Sequence, residues 1–171
     1  MKRKKKHLVA AGMVFATLAA LGFLSLFIRS PHLVLTNATS GQFLYLAPLD
    51  EGEIFSIHYI HSLNQSPVRE IYELRYGQIM LTAIEFETFG AGMPTELEPG
   101  QTLTHLEAGG MRIDGYERLI PDLRYLIGHT AELTLHIADR EIPLAMLDEP
   151  GQSVQFSPRQ LNLWQLLYFT R

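Results

Sequence analysis

The stretch EIFSIHYIHSLNQSPVREIYELRYGQIMLTAIEF, Glu53 to Phe86, decides the fold. In Glu53–His61 the apolar residues Phe55, Ile57 and Tyr59 fall on one face, and Ser56 and His58 on the other. That period of two marks a half-buried strand. Val68–Tyr76 alternates in the same way, with Val68, Tyr72, Leu74 and Tyr76 opposite Arg69, Glu73 and Arg75. Tyr76-Gly77-Gln78 then turns tightly into a third strand, Ile79–Phe86. Sequential strands joined by short connections predict an antiparallel meander.

Outward from this core the pattern stays β. His32–Thr36 and Gln42–Ala47 are short, branched and aromatic, and are separated by the turn formers of Asn37–Gly41. Further strands are expected near Thr102–Glu107, Met111–Ile113, Thr130–Ala138, Glu141–Leu147 and Ser153–Phe156. Glu117–Ile127 is interrupted by Pro121 and reads equally as strand or helical turn. Ser157-Pro158-Arg159-Gln160 has the form of a helix start, with serine as N-cap and proline at the first position. The expected class is all-β, mainly an antiparallel sandwich or open barrel. It carries an N-terminal transmembrane helix and a short C-terminal helix from about residue 157.

The transmembrane expectation rests on Leu8–Ile28, 21 residues without a charge. At about 1.5 Å per helical residue, such a run matches a hydrocarbon core of roughly 30 Å. Lys2, Arg3, Lys4, Lys5 and Lys6 precede it and Arg29 follows. This asymmetry orients the N-terminus to the cytoplasm and the body outside. A cleaved signal peptide is the rival reading. The run is long for one, and Phe27-Ile28-Arg29-Ser30-Pro31 is a poor cleavage site. The expected organisation is therefore a basic stub and signal-anchor over 1–30, then an exported domain over 31–171.

Charge and composition narrow the chemistry. After residue 29, eight arginines face eighteen acids, a formal charge of −10. Such a body repels nucleic acid. The chain has no cysteine, which excludes disulfides, thiolate nucleophiles and sulfur-ligated zinc. Lysine is missing after Lys6, so the body has no P-loop and no Schiff-base chemistry. Neither a G-x-S-x-G elbow nor an H-E-x-x-H helix occurs. No cofactor or metal site is expected.

Polar residues on an apolar register are the remaining signal. His61 is in phase with Phe55, Ile57 and Tyr59, and Glu70 with Val68, Tyr72 and Leu74. In a hairpin closed by Leu63–Pro67 both would face inward near its turn, within side-chain reach of each other. A buried carboxylate needs a partner. The pair is thus either a structural closure or a functional site. Ser62 leaves the opposite face, as does His58, which reads as a solvated strand residue. His129 stands at a strand entry. In Phe89-Gly90-Ala91-Gly92-Met93-Pro94, Gly90, Gly92 and Pro94 suit a sharp turn or a backbone anion nest.

These residues resemble a family. Ile57-His58-Tyr59-Ile60-His61-Ser62, then Pro67-Val68 and Glu70, then Phe89–Pro94, is similar to bacterial domain of unknown function 1850. That pattern pairs Y-x-H-S…P-V-x-E with F-G-A-G-x-P and places a histidine before a later strand, matched here by His129. The resemblance covers most of Pro31–Phe156 and leaves out the anchor and the terminal helix. No activity is established for the family. Its members are commonly encoded beside tripartite ATP-independent periplasmic (TRAP) transporters whose binding protein is of the TAXI group. The resemblance therefore implies an exported accessory to solute uptake, with the permease or the solute-binding protein as partner. It implies no particular solute.

Two functions fit the sequence. One is a membrane-tethered binding or interaction module. The other is a hydrolase or metal-dependent enzyme using His61, Glu70 and His129, with Ser62 as candidate nucleophile.

Overall fold

A computed structural model describes residues 13–20, 22–62, 65–88, 96–107, 109–129 and 132–169. The chain divides into two compact units. One is Pro31–Arg159; the other joins the described residues of Met1–Ser30 to those of Gln160–Arg171.

The meander anticipated from Glu53–Phe86 forms β3 (Ile54–Ile60), β4 (Pro67–Arg75) and β5 (Gln78–Phe86), each antiparallel to the next. It is the centre of a seven-stranded sheet. On one side lie β9 (Thr134–Ile137) and β10 (Arg140–Pro143); on the other, β7 (Met111–Leu119) and β6 (Thr102–His105). A four-stranded sheet in the order β2-β1-β11-β8 packs against it, built from β1 (Arg29–Asn37), β2 (Phe43–Pro48), β8 (Leu123–Leu126) and β11 (Ser153–Asn162). The fold is an antiparallel sandwich. Its core joins Leu33, Leu35, Val154 and Phe156 of one sheet to Phe55, Ile57, Tyr72, Leu74 and Leu135 of the other. Phe55 stacks between Tyr72, 5.2 Å away, and Phe156, 6.2 Å away.

Several elements depart from the sequence reading for identifiable reasons. Thr82 is an extra residue in β5, since Ile71 pairs with Ala83 while Tyr72 pairs with Leu81. Its hydroxyl bonds the Ile71 carbonyl at 3.1 Å. This bulge shifts the phase, so Ile79 and Leu81 before it share the inner face with Ile84 and Phe86 after it. Tyr76 does not join the inner face of β4; it sits at φ 53 in the turn and is exposed. Glu117–Ile127 contains the end of β7, a turn at Pro121-Asp122, and β8.

The C-terminal helix begins at Leu163, not near 157. Ser157–Asn162 continues β11 instead, and the β8 ladder stops at Phe156, so Pro158 forfeits no bond on that side. The cap is Asn162. Its Oδ1 accepts from the Gln165 N–H at 3.0 Å while Gln165 Oε1 accepts from the Asn162 N–H at 3.0 Å, a reciprocal capping box.

Of the expected Leu8–Ile28 span, residues 8–12 and 21 lie outside the described residues, as does the basic run. Residues 13–20 and 22–24 are helical and a turn follows at 25–27. Among the described residues no helix is long and apolar enough to cross a membrane. Gly90, Gly92 and Pro94 also lie outside the described residues.

Candidate functional site

Strand register builds two polar clusters on opposite faces of the seven-stranded sheet. On the inner face Leu135, Ile57, Glu70, Ile84 and Ile113 stand directly opposite one another across β9, β3, β4, β5 and β7. Glu70 is the only polar member of that row. Its carboxylate is satisfied from neighbouring rows and from the other sheet. Tyr59 donates to Oε1 at 3.0 Å and Tyr72 to Oε2 at 2.8 Å. Tyr125, arriving on β8, donates to Oε2 as well, and its hydroxyl oxygen is 2.7 Å from that of Tyr72.

Burial, followed by the charge of Glu70, pushes the Tyr59 and Tyr72 hydroxyls up from the usual phenol range. For Tyr125 burial comes first, then Tyr72 and then Glu70. All three therefore remain protonated donors at neutral pH. A fourth phenol, Tyr116, packs against the same core, and its hydroxyl oxygen is buried without a hydrogen-bond partner among the described residues.

The outer face carries a second row. His58, Arg69, Glu85 and Arg112 oppose one another across β3, β4, β5 and β7. Arg112 donates to Glu85 Oε1 at 2.8 Å, and Arg69 to Glu85 Oε2 at 3.3 Å. Arg69 Nε–H also donates to Ser56 Oγ at 3.3 Å, and Ser56 Oγ lies 3.0 Å from His58 Nε2. The serine oxygen has two lone pairs, so beside the Arg69 bond it either accepts from a ring N–H or donates to Nε2, according to the His58 tautomer. The His58 ring stacks on that of His136 at 3.6 Å. Burial, then His136 and Arg69, lower the His58 pKa to about 4, against a smaller raising effect from Glu85. His58 is neutral at pH 7.

His58, Arg69 and Glu85 form part of the lining of a cleft of about 460 Å³. Pro67, Val68, Phe86 and Leu106 supply apolar wall, and Glu87 and Glu132 add negative charge. The Arg69 side chain is 44% exposed, so its fork can meet a bound group. The serine–histidine contact does not make a nucleophile. Ser56 is 3% exposed and its oxygen already accepts from Arg69, so it orients His58. The cleft is equipped to hold a small amphipathic molecule, with hydrogen bonds below and apolar contact at the side.

Glu70 lies on the inner face with the tyrosines. His61, half-buried just beyond β3, exchanges backbone bonds with Ser66 and Gln65 at 2.9 Å each. Ser62 is exposed, and its carbonyl accepts from Gln65 Nε2 at 2.7 Å. His129 is exposed between β8 and β9. Among the described residues no group of three or more histidine and carboxylate side chains is placed to hold a metal ion. His58 is not simply solvated; it is clamped by Ser56 and His136. Sequence reasoning missed Tyr59, Tyr72 and Tyr125 as partners of Glu70, and Arg69 and His136 as partners of His58. The in-phase tyrosines flanking Glu70 were an available signal. His136 was not, because its pairing with Ser56 depends on β9 lying beside β3.

A family model for domain of unknown function 1850 (DUF1850) matches residues 55–144, just over half of the chain. The chain belongs to the DUF1850 family. No curated protein matches it, and no solved structure does. The DUF1850 match runs from Phe55 on β3 to Leu144, where a 3-10 turn begins after β10. It therefore contains both polar clusters complete. Strands β1, β2 and β11, which finish the four-stranded sheet of this DUF1850 protein, lie outside it.

Proposed function

We propose that this protein is a membrane-anchored extracytoplasmic binding module, accessory to a TRAP-type solute uptake system of the TAXI group. The observation that carries the reading is the character of the N-terminal segment. Residues 13–20 and 22–24 of it are helical, and Phe15, Leu18, Phe23, Phe27 and Ile28 are exposed to 60% or more. Side chains of this kind belong in lipid rather than water. The five basic residues before the run and the acidic body after it favour a cytoplasmic N-terminus and an exported domain.

Binding rather than catalysis is supported by the cleft over His58 and Arg69, whose polar groups hold one another and present no free nucleophile. The link to uptake rests on family resemblance, and the partner it suggests is the permease or the TAXI-group solute-binding protein. A tag after Arg171, used to capture the protein from detergent-solubilised native membranes, tests this. Specific co-purification of either transport component is expected. Recovery of the protein without them would refute the accessory role.

A further inference from the structure

We infer that the C-terminal helix is a second membrane contact, lying in the outer interfacial layer of the bilayer beside the anchor. The inference rests on the anchoring proposed above and extends it to a part of the chain outside the family match. The helix Leu163–Phe169 buries none of its residues. Leu163, Trp164, Leu167 and Tyr168 are 50%, 54%, 47% and 78% exposed. Their spacing of one, three and one residues gathers them on one face of a helix. No charged residue interrupts the element. An apolar face of this kind, exposed on so short a helix, gains nothing from water.

Its neighbour identifies what covers it. Trp164 Nε1–H donates to Ser25 Oγ at 3.0 Å, and Asn162 Nδ2 reaches the Leu26 carbonyl at 3.5 Å. Ser25 lies three residues before the end of the uncharged run at Ile28. It sits in the turn at 25–27 that follows the described helix, at the outer end of that run. Trp164 therefore stands at the level where tryptophan and tyrosine concentrate in membrane proteins. Its indole N–H, costly to leave unmet there, is already satisfied by Ser25. Tyr168, one turn further on, adds a second amphipathic ring.

Trp164 is the only tryptophan of the chain, so its fluorescence reads this contact directly. The full-length protein would be reconstituted into vesicles of phosphatidylcholine and phosphatidylglycerol, with and without brominated acyl chains. The expected result is a blue-shifted emission, shielded from aqueous acrylamide. Bromines near the headgroup end of the chain should quench it more than bromines near the terminal methyl. The double variant Leu163→Glu/Tyr168→Glu should still float with vesicles while its emission moves to the red. A protein that floats but shows water-like, unquenched emission would retain the anchor and overturn the helix contact. Blue-shifted emission insensitive to bromine would mean a protein partner, such as a second copy, covers the face, and would also overturn it. Failure to float would remove the anchor itself and the inference with it.

Discussion

Tyr125, on β8 of the four-stranded sheet, donates a hydrogen bond across the sandwich to Glu70, on β4 of the seven-stranded sheet. One carboxylate thus holds three phenols, Tyr59 and Tyr72 from its own sheet and Tyr125 from the other. A hydrogen bond to a charged group contributes about 1.5–3 kcal/mol net. Tyr125→Phe should therefore lower unfolding stability by that amount in chemical denaturation. Glu70→Leu should cost more, because it strands several buried hydroxyls at about 1–3 kcal/mol each. In a double-mutant cycle the two changes should be non-additive by more than about 0.5 kcal/mol. Additive losses would mean that the carboxylate and Tyr125 act independently.

The outer cluster predicts a dependence on acid. The pKa of His58 is about 4 in the fold against an ordinary value of 6.5, so the unfolded chain takes up this proton first as pH falls. Its contribution is fully present above pH 6.5 and is lost progressively toward pH 4. His136, Arg69, Glu85 and Ser56 are the groups that face it, from β9, β4, β5 and β3. Melting temperature followed over that range should drop with acid in the native protein, and the drop should be shallower in His58→Gln. Identical profiles would show that the stacked histidines do not control the titration.

Gly115 marks a place where backbone geometry requires glycine. It has φ +86 in β7, and a Cβ there would lie 2.4 Å from the carbonyl oxygen of Gly100. Backbone strain alone costs about 1–3 kcal/mol, and the contact with a rigid carbonyl adds to it. Gly115→Ala should lose at least that much stability, read from urea midpoints. An unchanged midpoint would mean that β7 and the turn at Gly100 shift apart freely.

Local periodicity made the meander and the inner register of Glu70 legible, because both depend only on alternation within β3 and β4. The partners of Glu70 were less so. Tyr125 comes from the other sheet, on a segment whose strand character Pro121 obscured. The pairing of Ser56 with His136 depends on a chain reversal some eighty residues later, and no local pattern encodes it. The Thr82 bulge hid Ile84 and Phe86 from a strict period of two. At the C-terminus Ser157-Pro158 supplied a helix-start signal, but pairing within β11 prevailed and moved the cap to Asn162.

Anchoring and export of the domain are tested directly by a pair of reporters fused after Arg171. One is active only outside the cytoplasm and the other only within it; membrane fractionation accompanies both. Activity is expected from the outer reporter alone, in a product that stays with the membranes. Activity from the cytoplasmic reporter alone would contradict the topology. A soluble exported product beginning near Pro31 would contradict the anchor.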